Sequence, residues 1–512
     1  MKIWQKQNLL LLLFFLIVAV YFSLLQGSPH FVDPDSFYHA KMGFLMQKDI
    51  IIKNFPWIKF APFTQNFTDH QFIYHLLLIP FTFFFSPLLG TKIAAIILAV
   101  TAFAIFYFFL KKWQIKYPLF YILILLTSIS FVFRMNLAKT SSLSLIILLL
   151  TLNFIWQRRF IPLFLASFVY VWCYGGWGML LGLIFSLTLG DLIINKKIIG
   201  SNILAILLGL LAGIIINPYF PHNIQFYWQQ VVQIGLINYK DQIAVGMEWY
   251  PPDILNFLGS EIFIFLLGIL ALFLFFIKIK TKKNNNLEDE RSLHKIFSKI
   301  IGLFIFAGLL FVLTLKSQRF IEYFVPFSVL ACAFLINFSL PKNFSLKESL
   351  YFWLTKNKYL NKAFLVYFLA IMVGFFSLNS LKLNQQFTSR YNWNYLKNSS
   401  AWLKENTPPK TTVFHTSWAD WPMLFYHNSQ NTYLSGLDPT FFYLKDKNLY
   451  KEWIQIGNGQ IQDKLDEKIK KNFSANWILI KNNEIKLLKA IKSNDKFSLV
   501  YRDDEAQIFF LR

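Results

Sequence analysis

Asp33 and Asp35 stand just past the first long apolar run of the chain, in Asp33-Pro34-Asp35-Ser36-Phe37-Tyr38-His39-Ala40-Lys41. Carboxylates at the face of a membrane are costly to desolvate, and with 27 acidic against 50 basic residues they are scarce here. An acidic pair set among aromatics, with His39 and Lys41 close behind, marks a candidate active site. Asp69, His70 and His75 follow in the same stretch. Glu248 stands in Val245-Gly246-Met247-Glu248-Trp249-Tyr250-Pro251-Pro252, and Arg319 in Lys316-Ser317-Gln318-Arg319-Phe320-Ile321-Glu322-Tyr323. Carboxylates and imidazoles from separate loops can converge on a divalent cation, Mn²⁺ or Mg²⁺, and an arginine beside them suits a phosphate. Each residue also has a structural reading. Asp33 can cap the turn before Pro34, and Asp69-His70 can cap the helix that follows. His75 can be packed at the interface, Glu248 can be an ordinary loop carboxylate, and Arg319 can anchor its helix at headgroup level.

The elements that must position these residues are membrane helices. A hydrophobic fraction of 55%, a mean hydropathy of +0.45 and 59 Phe exclude a soluble globular protein. Repeated apolar runs of about 18–20 residues, the length that crosses ~30 Å of hydrocarbon, read as a polytopic helical membrane protein. The runs fall at 8–25, 92–110, 117–133, 141–156, 160–174, 178–195, 198–215, 261–278, 298–315, 320–337 and 362–380, which is about eleven spans. The first run lacks a small-residue cleavage site and reads as a retained signal-anchor. The segment 72–89, with Pro80, Pro87 and His75, is left out of the count as an interfacial or re-entrant helix. Counting it would invert every later loop.

The net charge of +23 is carried largely by short loops between spans. Lys2 and Lys6, then Lys111, Lys112 and Lys116, then Arg158 and Arg159, then Lys196 and Lys197, fall on one side. So do 278–299 and 342–362. This is the positive-inside pattern of the cytoplasmic membrane, and it argues against nucleic-acid binding. It predicts a cytoplasmic amino terminus and an extracytoplasmic carboxyl terminus. The external side then holds 26–91, 217–260, the turn 316–319 and everything after about residue 381. Cys173 and Cys332 lie in apolar context and give no disulfide framework or cysteine metal site. Asn284-Asn285-Asn286 reads as a flexible part of a basic linker. From 381 to 512 the apolar runs shorten. Residues 400–406 read as a helix broken by Pro408-Pro409, and 411–415, Trp477–Lys481, 497–501 and 507–511 read as strands. A small extracytoplasmic α/β domain, 381–512, is expected after the membrane part, 1–380.

With these motifs in place, the chain resembles the catalytic subunits of oligosaccharyltransferases, membrane enzymes of the GT-C glycosyltransferase class. Asp35-Ser36-Phe37-Tyr38-His39-Ala40-Lys41 is similar to that family's first-loop run of a catalytic aspartate, aromatics and a basic residue. Asn54-Phe55-Pro56 and Pro62-Phe63-Thr64 resemble the rest of the loop. Val245-Gly246-Met247-Glu248 sits where the family has a Ser/Thr-x-x-Glu motif. Arg319, followed by apolar residues and Pro326, resembles the arginine that binds the lipid phosphate. Trp418-Ala419-Asp420-Trp421-Pro422 stands where the family has Trp-Trp-Asp-Tyr-Gly, which reads the acceptor sequon. Two departures matter: residues 135–142, after Arg134, hold no carboxylate where the family has an acidic metal pair, and Ala419 and Pro422 alter the sequon motif. About two family spans are also missing between 195 and 217.

The resemblance implies a GT-C fold and transfer of a glycan, with inversion, from a polyprenyl-linked (pyro)phosphate donor to a protein or glycan acceptor, including protein Asn. It implies Asp35 and Glu248 as catalytic residues, Arg319 at the donor phosphate, and Trp418, Asp420 and Trp421 at the acceptor. It also implies a divalent metal, for which Asp35, Asp69 and His70 are the ligands on offer. Two other readings stand beside it: a GT-C enzyme moving a single sugar from polyprenyl phosphate to a lipid, glycan or protein hydroxyl, and a non-catalytic transporter or assembly factor. The altered acceptor motif and the missing acidic pair favour the first of these two.

Overall fold

The structure is a computed structural model that describes residues 2–281, 287–341, 343–356 and 358–512, so Asn284-Asn285-Asn286 lies outside the described residues. Long apolar runs become helices because a helix satisfies each backbone N–H and C=O within its own segment, without water. Among the described residues six helices are long and apolar enough to cross a bilayer: Asn8–Leu25, Pro87–Lys112, Ile262–Lys280, Leu293–Lys316, Gln318–Ser339 and Tyr359–Ser389. Pro118–Thr127 and Ile129–Met135 pass the same test together but are bent by 93°. Four more apolar helices, Ser141–Gln157, Phe160–Cys173, Met179–Asn195 and Gly200–Ile215, are shorter.

Every run read as a span lies on one of these helices, but six of them, or seven with the bent pair as one, are long enough to cross a bilayer among the described residues, against the expected count of about eleven. The four short helices have 14 to 17 residues, and at ~1.5 Å per residue they fall short of a ~30 Å core. The segment 72–89 is also two elements. Helix Phe72–Phe84 ends in extended backbone at Phe85, and Pro87 opens the next helix from its first turn. That position suits proline, whose missing N–H is unneeded there.

The bend between the two halves of the 117–133 run has a local cause. Ser128 has extended backbone angles, and its hydroxyl accepts the N–H of Phe131 at 3.1 Å, which starts a new helix at Ile129. The second half then carries Arg134 to the wall of the central cavity.

After helix Lys358–Ser389 the chain forms most of its β-structure. The strands are β1 (His30–Phe31), β2 (Tyr391–Asn392), β3 (Thr412–Phe414), β4 (Thr432–Tyr433), β5 (Trp477–Lys481), β6 (Phe497–Arg502) and β7 (Ala506–Leu511). Five of them make one sheet in the order β4-β3-β5-β7-β6. β3 runs parallel to β4 and β5, while β7 is antiparallel to β5 and β6. Central β5 is nearly all apolar, and Ile478, Leu479 and Ile480 are all buried, as expected for a strand covered on both faces.

The first loop extends this sheet. Lys59 N–H donates to Tyr433 C=O at 2.8 Å and Phe60 N–H to Leu434 C=O at 3.1 Å, alongside β4. β1 pairs with β2, and Trp418 Nε1 donates to Ala244 C=O at 3.2 Å. The loops 26–91 and 217–260 and the chain beyond 390 therefore meet at one end of the helices.

Candidate active site

Helix Asp35–Leu45 places the acidic pair. The Asp33 carboxylate accepts the N–H of Asp35 at 2.9 Å, so Asp33 does cap the turn at Pro34. Asp35 then occupies the first helical turn, where the helix dipole favours a negative charge. The same two carboxylates face Lys139, whose Nζ lies 2.8 Å from Asp33 Oδ2 and 2.8 Å from Asp35 Oδ2. Burial, with Asp33 beside it, pushes the Asp35 carboxyl up to about 6 against the opposing pull of Lys139. Burial alone would lower the Lys139 ammonium, but Asp33 and Asp35 outweigh it and hold it well above the usual lysine value.

Across the same cavity, of about 1040 Å³, Glu248 sits between two arginines. Its Oε1 is 2.6 Å from Arg319 NH1 and its Oε2 is 2.6 Å from Arg134 NH1. Arg134 also holds the fully buried Glu322 at 2.7 Å. Burial would raise the Glu248 carboxyl, yet Arg319, Lys139 and Arg134 together hold it far below the usual range. Glu248 is thus an anion with both oxygens engaged by arginines. Arg319 gives Nε and NH2 to the Tyr174 hydroxyl at 3.3 and 3.1 Å and lies over the Trp249 ring, 4.9 Å from its centroid. A guanidinium has five N–H donors, so Arg319 keeps donors for a further anion.

His39, His70, Asp33 and Asp35 line this cavity with Arg134, Lys139, Glu248 and Arg319. His70 stacks on Phe226 (centroids 5.2 Å apart, 30° between planes), and burial pushes its imidazole down to about 4. Lys41 points elsewhere, to the Tyr426 carbonyl at 3.2 Å. Trp418 lines the cavity, whereas Asp420 is paired with Lys481 at 2.8 Å. Trp421, expected at the acceptor, is fully buried in the aromatic layer. It stacks on Phe425 at 4.9 Å with 6° between the rings.

The expected cation does not fit this set of side chains. Asp69 is engaged on both oxygens: Oδ1 accepts Gln71 N–H at 3.0 Å, in the turn before the following helix, and Oδ2 lies 2.6 Å from His75 Nδ1. Asp33 and Asp35 already face an ammonium, which a dication would have to meet at contact distance. Among the described residues no three or more His, Cys, Asp or Glu side chains gather as a metal site. Asp35, Asp69 and His70 are not found gathered as such a site among the described residues.

Sequence reasoning missed Lys139, the partnership of Arg134 with Glu248 and Glu322, and Tyr174.

No family model and no curated protein sequence matches the chain. Its likeness is to solved structures. ArnT from Cupriavidus metallidurans, bound to undecaprenyl phosphate, is 13% identical with a TM-score of 0.57, and the match covers 97% of each chain. The Archaeoglobus fulgidus oligosaccharyltransferase tethered to an acceptor peptide with an NVT sequon is 11% identical, TM-score 0.57, over 91% of this chain and 68% of that one. The arabinofuranosyltransferase AftD from Mycobacteria is 10% identical, TM-score 0.50, over 97% of this chain and 40% of that one. At such identities the likeness establishes the fold alone: this chain folds as those structures do.

Proposed function

We propose that this chain is a multi-pass glycosyltransferase of the cytoplasmic membrane. It would move a sugar or glycan from a polyprenyl phosphate or pyrophosphate donor to an acceptor, with inversion at the sugar carbon. One observation carries the reading: a single cavity holds an arginine with spare donors, Arg319, and an aspartate that faces the same space from another loop, Asp35. Residues of apolar helices, Phe375 and Ile321, form part of the wall, which suits lateral entry of a lipid-linked donor.

The residues divide the work. Arg319, steadied by Glu248 and Tyr174, neutralises the phosphate that leaves. Charge-assisted donors fixed before reaction cost no reorganisation when the anion develops. Asp35, whose Oδ2 is held by Lys139, offers Oδ1 to a hydroxyl or amide of the acceptor. A nucleophile held at Asp35 and a leaving group at Arg319 give an in-line displacement, hence inversion. Trp418 flanks the acceptor side. The residues 1–380 would form the membrane part, and 381–512 an extracytoplasmic domain that covers the cavity together with the first and second loops.

Transfer of a single sugar to a hydroxyl, rather than of an oligosaccharide to asparagine, is favoured by two placements. Asp420 and Trp421 turn away from the cavity, which removes most of the motif that the oligosaccharyltransferase resemblance assigns to the sequon. Lys139 stands where that resemblance expects acidic metal ligands. The test is conversion of a labelled undecaprenyl-phosphate-linked sugar by purified protein in lipid nanodiscs. Loss of conversion in Asp35→Asn and Arg319→Met supports the reading, and undiminished conversion in both refutes it.

A further inference from the structure

Two histidines that the sequence left apart lie in one buried chain. Helix Asp35–Leu45 packs so closely on helix Phe72–Phe84 that a Cβ on Gly43 would lie 2.8 Å from Leu78 Cβ. Roughly one turn back on each helix, the same approach brings His39 onto His75. His39 Nδ1 is 2.8 Å from His75 Nε2, and His75 Nδ1 is 2.6 Å from Asp69 Oδ2. All three side chains are shielded, with 2%, 0% and 1% exposure.

With both rings neutral, these contacts allow one order of tautomers. Asp69 accepts from His75 Nδ1–H, so neutral His75 presents a lone pair at Nε2. That lone pair accepts His39 Nδ1–H, which leaves the His39 lone pair at Nε2. Among the described residues no hydrogen bond to His39 Nε2 is found, and the ring lines the cavity that holds Asp35. Residues 35 and 39 are four apart on one helix and so share a face.

We infer that His39 is the proton acceptor of the transfer reaction, with His75 and Asp69 as its positioning relay. The inference rests on the glycosyltransferase reading. The acceptor oxygen or nitrogen forms its bond to the sugar carbon as the bond from that carbon to the phosphate oxygen breaks. The bonding pair leaves with the polyprenyl phosphate, opposite Arg319. The proton of the nucleophile passes to His39 Nε2, His39 Nδ1–H moves to His75 Nε2, and the positive charge rests on His75 against Asp69.

This division explains why Asp35 can be tied to Lys139 without stopping catalysis: it orients the nucleophile and need not keep the proton. The surroundings of His39 oppose a resident cation, since burial, His75, Lys139 and His70 all lower its imidazole. The Tyr74 ring packs on His39 edge-on at 5.2 Å, and Tyr38 adjoins it. Helices Trp421–His427 and Pro87–Lys112, also packed on this helix, present Tyr426 and His427 to Phe37, and Lys92 to Phe31. A charge accepted at His39 is therefore best stored at the Asp69 end.

The test uses the full-length protein in nanodiscs, with ¹⁵N-labelled histidine and a labelled undecaprenyl-phosphate sugar. His39→Ala is expected to lower kcat by about 10²-fold or more, with undecaprenyl phosphate binding unchanged and part of the rate restored by added imidazole. His39→Gln, a milder change, should lower kcat in the same way. In Asp69→Asn the nitrogen spectrum should show His39 moving away from the bare-Nε2 tautomer, with kcat falling while KM holds. A wild-type spectrum with Nε2–H on His39, or an unchanged kcat in His39→Gln, would overturn the relay. Absence of any sugar transfer by wild-type protein that binds undecaprenyl phosphate would instead count against the glycosyltransferase reading, because the spectrum tests the relay by itself.

Discussion

Lys139→Met removes one ammonium and keeps most of its apolar stem, so its effect isolates the charge between Asp33 and Asp35. Each carboxylate lies 2.8 Å from that ammonium, with 21% and 33% of the respective side chains exposed. Removing one partner of a buried ion pair costs about 3–5 kcal/mol. Two reliefs apply here. Water reaches both carboxylates and screens their repulsion, and Asp35, already pushed up to about 6, can take up a proton. With these discounts the loss is ~1–2 kcal/mol, equivalent to about one further pKa unit on Asp35, and a fall of a few degrees in Tm.

The sign with pH follows from the direction of the shift. A carboxyl raised on folding costs stability above its folded pKa and costs nothing below its unfolded value. Without Lys139 the folded value of Asp35 rises further. The gap between wild type and variant should then be widest in mildly alkaline buffer and close as pH falls through about 6 towards the ordinary carboxylate range. Thermal unfolding in nanodiscs across this pH range measures it, and Lys139→Arg should recover most of the loss. A gap of equal size at every pH, or none, would refute the view that Lys139 acts as the counter-ion of the acidic pair.

Arg319→Lys keeps the charge but loses the fork shared between Glu248 and Tyr174; sugar transfer should fall by about 10-fold or more, with weaker undecaprenyl phosphate binding, and an unchanged binding isotherm would contradict the phosphate role. Exhaustive chelation should leave turnover within about twofold of untreated protein, because Lys139 supplies the cation beside Asp35; loss of turnover that returns with added Mn²⁺ or Mg²⁺ would contradict this. A reporter that is active only in the cytoplasm should be silent when fused after Arg512, and its activity there would reverse the topology.

Much of the helical architecture was legible because hydrophobic length is a strong, local signal. Trp477–Lys481 matched β5 residue for residue, and 497–501 and 507–511 fell within β6 and β7. Weaker local signals failed. Two-residue β4 has no strand-length pattern and exists because the first loop and β3 pair on either side of it. The break at Ser128 was hidden inside an unbroken apolar run, since one serine cap leaves hydropathy nearly unchanged.

At the site, Asp35, Glu248 and Arg319 were found from residue type and order, and all three line one cavity. Their partners were invisible because ion pairs such as Arg134 with Glu248 join positions 114 residues apart. His75 was read as a packed histidine, which it is. Its contact with His39 depends on the close approach of two helices at Gly43, which no spacing rule reports.

The most direct test of the central claim follows the donor lipid itself. Membranes containing the wild-type chain or Asp35→Asn at equal amounts of folded protein would be extracted, and polyprenyl-linked sugars and free polyprenyl phosphate measured by mass spectrometry, with the cell-envelope glycans measured in parallel. The account predicts that wild type consumes one lipid-linked sugar, releases the polyprenyl phosphate and adds that sugar to an envelope acceptor, while Asp35→Asn accumulates the donor and lacks the product. Identical lipid and glycan profiles in the two membranes would contradict it.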